Sequence, residues 1–164
     1  MRKAVNILEY VQLRIAAIFF VIFIVSVALQ VASRYIPGIH VVWSNQVATY
    51  SFIWMVFMGA AVMVRYREHF RLGILIENTK GIRLVIIQSL IHFIIIGFGA
   101  VMIIDGLTLT EQFWGWTITN LPQLQQGYVW VAIPVSGFTM IVYSLGNFLD
   151  DIKDYSNKGR EWGK

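Results

Sequence analysis

Apolar residues in this chain come in long unbroken blocks rather than in alternating or half-buried patterns. Runs free of charge cover 15–33, 35–64, 84–104 and 112–149. A bilayer core about 30 Å thick takes roughly 20 helical residues, so each run is long enough to cross. The last run exceeds one crossing, but its first part, QFWGWTITNLPQLQQG, is too polar for lipid. The fourth span therefore starts near Tyr128. The pattern predicts an all-α membrane protein, one membrane domain over 1–164, with spans at about 15–34, 43–65, 84–104 and 128–149. Amphipathic interfacial segments are expected at 3–14 and 66–83, and an external connection at 105–127.

Local signals refine these elements. Ala4, Ile7, Leu8, Val11 and Ile15 share one helical face. Residues 3–14 are thus either a helix lying in the interface or a prolongation of span one. Span one ends at Arg34-Tyr35, where the arginine can snorkel to headgroups, and Pro37-Gly38 turns the chain. Span two opens on Trp43, an interface anchor, followed by Ser44, Asn45 and Gln46; it passes Trp54 and closes on Gly59-Ala60-Ala61. Small residues of that kind admit a neighbouring helix, from a partner or from this chain. The central stretch RYREHFRLGILIENTKGIR mixes cations with apolar residues and suits an interfacial hairpin. Span three carries His92 in mid-membrane, with Gly97 and Gly99 beyond it. Span four contains Pro134 and Gly137; Pro134 cannot donate to the carbonyl of Trp130, so a kink or a helix contact is expected there. No internal repeat is evident, which removes the inverted halves that build many carriers.

Composition agrees: 57% of the chain is hydrophobic and 13% charged, too little charge to cover a soluble domain of this length. Of the 13 lysines and arginines, all but Arg34 lie in the leader, the central connection or the tail. The positive-inside rule then places both termini in the cytoplasm. The net charge of +4 sets topology at the bilayer borders and does not mark a nucleic-acid surface. Span one exceeds the roughly 7–15-residue core of a signal peptide and lacks an A-x-A site, so it is read as uncleaved. Without cysteines, no disulfide, thiolate or iron–sulfur chemistry is open to the chain.

The candidate chemistry is sparse. Ionisable groups inside spans normally mark a transport or catalytic site, and His92 is the one found. A hydrogen bond across a helix interface is the simpler role for it, a proton relay or ligand the sharper one. A membrane haem needs two facing ligands, which His40 and His69 at opposite borders do not supply. Asp105 is expected to face water. No metal spacing, no nucleophile with a base and no phosphate-binding loop is visible, and no cofactor is expected. Glu9 lies outside span one, unlike the carboxylate of small four-helix drug exporters. Trp43, Trp114, Trp116, Tyr128 and Trp130 gather toward the outer face, as interface anchors or, for Trp114 and Trp116, as a docking surface.

One stretch says more. From Arg34-Tyr35 through Trp43, Trp54 and Gly59-Ala60-Ala61 to Arg65 and His69, the sequence resembles the small membrane subunit of tripartite ATP-independent periplasmic transporters. Pro134 and Gly137 are similar to that family too. Asn45 and Gln46 depart from it, since acidic residues often follow the tryptophan there. The resemblance implies a division of labour. A large membrane subunit holds the substrate and sodium sites and moves like an elevator. A soluble periplasmic protein delivers an organic-acid anion, such as a C4-dicarboxylate or a sialic acid. The small subunit is an accessory scaffold in the phospholipid bilayer of a bacterial inner membrane, not an enzyme. On that reading Arg34, Trp43, Asn45, Gln46, Trp54, Gly59, Ala60, Ala61, His92, Pro134 and Gly137 are candidate packing or partner residues. Arg65, Arg67, His69 and Arg71 belong to the cytoplasmic border. The alternatives are an autonomous homo-oligomeric carrier or channel lined by His92 and Asp105, and a membrane enzyme or redox subunit.

Overall fold

A computed structural model describes residues 2–36, 41–66 and 82–161. Helix α1 covers Arg2–Tyr35, α2 Ser44–Arg65 and α3 Ile82–Phe113. Strands β1 (Thr117–Ile118) and β2 (Leu121–Gln125) follow, then the short helix α4 (Gly127–Trp130) and the long α5 (Ala132–Glu161). Among the described residues, four segments are long and apolar enough to cross a membrane: Val5–Tyr35, Ser44–Arg65, Leu84–Phe113 and Gly127–Lys153. The connection 67–81, with Arg67, His69, Arg71 and the expected interfacial hairpin, lies outside the described residues, as do Pro37-Gly38 and His40.

Three points refine the expectations, the first by favouring the prolongation of span one over a helix in the interface. Residues 3–14 are not a separate element, because α1 runs unbroken for 34 residues, roughly 51 Å at 1.5 Å per residue. That exceeds a bilayer core, and the surplus turns carry Asn6, Glu9 and Gln12. Span three likewise continues past residue 104 to Phe113, so the first part of the external connection is helical. The remainder is not all coil: β1 and β2 pair antiparallel as a small hairpin, with Thr117 opposite Gln125 and Ile118 opposite Leu121. Among the described residues this short hairpin is the exception in an otherwise helical chain.

The helices do not close into a bundle. Each packs chiefly on the next in the order α1, α2, α5, α3, so α1 and α3 are the outer members of a row and α1 touches α5 only slightly. Burial follows that order. Half of the apolar window of the fourth span is buried, a third of the second, but only 11% of the first and third. The main apolar core joins Ala61, Val62 and Val64 of α2 to Ile95 and Met102 of α3 and Met140 and Tyr143 of α5.

Glycine brings α3 and α5 together. A Cβ on Gly137 would lie 2.7 Å from the carbonyl oxygen of Gly99, and one on Gly99 would lie 2.9 Å from that of Gly137. Gly106 abuts Pro134 in the same way, at 2.7 Å from its Cδ. Pro134 sits in the first turn of α5, where a missing N–H costs little. α4 and α5 meet at Val131, and helical hydrogen bonds run on across it: Val131 N–H bonds Gly127 O at 3.1 Å and Val135 N–H bonds Val131 O at 3.2 Å. Of the kink or helix contact expected at Pro134, the contact with Gly106 is the one seen.

Candidate functional site

Side chains that a soluble protein would turn outward are here turned inward. On α1, Ile7 is 65% exposed and Val11 47%, whereas Gln12 is 3% exposed. The polar stripe of α1 faces α2 and α5. Gln12 Nε2 donates to Thr139 Oγ1 at 3.1 Å and approaches Met58 Sδ at 3.5 Å. Tyr143 OH donates to Gln12 Oε1 at 2.7 Å. Each group is satisfied by another helix, as a medium without water requires.

One turn nearer the α2 C-terminus, a charged cluster ties three helices. Arg65 donates to Asn147 Oδ1 at 3.0 Å and to Asn6 Oδ1 at 3.4 Å, and its Nε lies 3.6 Å from Glu9 Oε2. Asn147 Nδ2 donates to the carbonyls of Val64 and Arg65, at 2.9 and 3.4 Å. Those carbonyls belong to the last turn of α2, where a side-chain donor can cap the helix end. Tyr66 OH donates to Glu9 Oε1 at 2.6 Å, and this hydrogen bond is the main reason the phenol is held above its ordinary pKa. Arg65 was expected as a topology marker at the cytoplasmic border; the structure also gives it a packing role.

The third cluster corrects the picture of an isolated His92. Its Nε2 lies 3.1 Å from Asp151 Oδ2 and its Nδ1 3.1 Å from Ser144 Oγ. Phe148 meets the ring edge-on at 5.9 Å between centroids. Asp151 stands in the last of the four crossing segments, not in a solvated tail, and is buried. An ionised Asp151 would accept a hydrogen bond from Nε2–H, while the direction of the Nδ1–Ser144 contact follows the tautomer. A serine, a histidine and an aspartate are thus in contact, although no nucleophile with a base was expected. Ser144 is 0% exposed, and its hydroxyl also lies 3.3 Å from His92 O. No substrate reaches it. The trio fastens α3 to α5.

The opposite end presents the exposed aromatic residues. Trp54 Nε1 donates to Tyr128 O at 3.2 Å, and its ring stacks on Phe19 of α1 at 5.3 Å. Gln30 Nε2 donates to Asn45 Oδ1 at 3.2 Å. Gln46 Oε1 accepts the backbone N–H of Asn120 at 3.1 Å, and Asn120 Nδ2 reaches Val42 O at 3.5 Å. Asn45 and Gln46 therefore link α1 to α2 and α2 to the hairpin. Trp114 packs on Gly127, where a Cβ would lie 2.5 Å from its ring. Gln126 N–H closes the hairpin base on Trp116 O at 2.8 Å. Ile118, 1% exposed, anchors β1 inward, while Trp116 is 59%, Tyr128 54%, Leu124 47% and Trp114 44% exposed. Trp43 stands exposed at the α2 N-cap, and Arg34 is exposed in the last turn of α1.

The small residues of α2 split in role. Ala61 is fully buried, Ala60 partly, and a Cβ on Gly59 would meet nothing within 4 Å. Among the described residues Gly59 is therefore no close contact, in contrast to Gly137. Sequence reasoning missed Gln12, Tyr143, Ser144, Asn147 and Asp151. For Tyr143, Asn147 and Asp151 the signal was present as a polar stripe at spacings of three and four along α5, with Ser136 and Thr139.

Residues 23–154 match the family described as Tripartite ATP-independent periplasmic transporters, DctQ component. A comparison with curated proteins gives no match.

Proposed function

The chain belongs to the DctQ component family of tripartite ATP-independent periplasmic transporters, and from that premise we propose that it is a static scaffold. In this reading it packs against the large transport subunit of a sodium-coupled importer of organic-acid anions, of the C4-dicarboxylate or sialic acid type. Both termini lie in the cytoplasm of a bacterium, and the hairpin end faces the periplasm. There Trp114 and Trp116 form part of the docking face for the soluble binding protein. One observation carries the reading. The polar clusters built on Gln12, Arg65 and His92 join this chain's own helices. Much of what remains outward is apolar, including Phe52, Val56 and Met63 of α2 on the side of the open Gly59. Such a surface seats a neighbour or lipid and does not grip a carboxylate or a cation.

Reconstitution tests this directly. Proteoliposomes that contain this chain alone are expected to show no sodium-driven uptake of radiolabelled succinate or sialic acid. Uptake by the large subunit should require this chain and the soluble protein. Transport of either anion by this chain alone would overturn the scaffold reading.

A further inference from the structure

We propose that Gln46 is a positioning residue for docking: its side-chain oxygen holds the tip of the outer hairpin, and so presets the face that the soluble binding protein meets. This rests on the docking reading above and names the device that shapes that face. A hairpin with a two-residue strand cannot hold itself in water. It is held from outside at three points. The base is closed by Gln126 N–H on Trp116 O and by Trp114 against Gly127. The middle is anchored by Ile118, which is buried. The tip is joined to the α2 N-terminus by Asn120 N–H on Gln46 Oε1, with Asn120 Nδ2 on Val42 O. The link continues through Asn45 and Gln30 into α1, so the hairpin is referenced to the helix row and not only to its own strands.

The occupant is the soluble binding protein rather than a second copy or lipid. The segment 105–127 has no lysine or arginine, which assigns it to the periplasmic side, where that protein arrives. The exposed rings of Trp116 and Trp114, with Tyr128 and Leu124, stand on the segments that the tether fixes. A partner that meets an ordered face avoids the entropy of ordering it. The tip donates a backbone N–H, so the chemistry needed at position 46 is an acceptor and nothing more. A carboxylate serves as well as an amide.

The test uses the assembled transporter in nanodiscs, titrated with its soluble binding protein by biolayer interferometry. Gln46→Ala should weaken binding about two- to tenfold, the range of one neutral hydrogen bond. Gln46→Glu should bind like wild type. Hydrogen exchange at the Asn120 amide should quicken in Gln46→Ala alone, with complex yield unchanged. If Trp116→Ala weakens binding while Gln46→Ala does not, the positioning role is overturned and the docking face stands. If neither changes binding, the docking reading falls and the inference with it. A Gln46→Ala complex recovered in reduced yield would make the residue merely structural, against the proposal.

Discussion

Gly137→Ala and Gly59→Ala are the same chemical change in two helices of this chain, and they should have opposite effects. In each, a helical glycine becomes alanine, which by itself favours the helix by about 0.8–1 kcal/mol. At Gly59 the new methyl meets nothing within 4 Å, so only that gain applies. At Gly137 the methyl would sit 2.7 Å from Gly99 O and 2.9 Å from Met102 Cβ. The first of these is backbone and cannot rotate away, so α3 and α5 must separate by several tenths of an ångström. Overpacking of that kind costs about 1–3 kcal/mol. The propensity gain cancels in the comparison, so the difference between the two variants isolates the clash. Gly59→Ala should be up to about 1 kcal/mol more stable than wild type, and Gly137→Ala about 1 kcal/mol less. Gly97→Ala, also in open space, is the control on α3 itself. Unfolding of the purified chain in mixed micelles, followed by circular dichroism against SDS mole fraction, reads the order. A Gly137→Ala protein as stable as Gly59→Ala would show that α3 and α5 are not in backbone contact there.

His92→Leu and Asp151→Leu should each destabilise the purified chain by about 1–3 kcal/mol, since each removes one side of a buried polar contact; the double variant should lose less than the sum, and strict additivity in the same unfolding assay would deny their contact. Gly59→Phe should leave the isolated chain folded yet reduce co-purification of the large subunit; unchanged recovery would remove Gly59 from that interface. Tyr66 is held above its ordinary pKa mainly by its hydrogen bond to Glu9. With the folded value the higher one, its contribution is complete below the unfolded pKa near 10 and disappears as pH rises through the folded value. Tyr66→Phe should therefore flatten the alkaline limb of stability against pH, and an unchanged limb would contradict the assignment.

The four crossings were legible because charge marks where lipid ends. The partners across helices were not, for a reason that particular residues make plain. Asp151 reads as tail because the apolar run stops at Leu149, yet one further helical turn carries it to His92. Gln12 reads as leader, yet it meets Tyr143 across 131 positions of sequence. Both pairings depend on the order α1, α2, α5, α3, and no periodicity within a helix encodes that order. Gly59 and Gly137 look alike on the page, and only the crossing of α3 and α5 separates them. The hairpin escaped notice because β1 is two residues long and β2, LPQLQ, has no β-branched residue to mark it. Pro134 was legible, because its missing N–H acts locally.

The row also explains why so polar an interior belongs to a protein without a visible site. In a closed bundle apolar packing surrounds each helix. In a row the outer helices have one main neighbour each, and van der Waals contact with lipid is little worse than contact with leucine. Hydrogen bonds are what lipid cannot replace. Accordingly each junction carries a hydrogen bond between helices or an ion pair: Gln30 to Asn45 and Glu9 to Arg65 join α1 to α2, Arg65 to Asn147 joins α2 to α5, and His92 to Asp151 joins α3 to α5. A polar group committed to a junction is withdrawn from binding solute. Among the described residues, the same economy that keeps an open row together leaves its broad faces apolar and its exposed aromatic end as the place where recognition can occur.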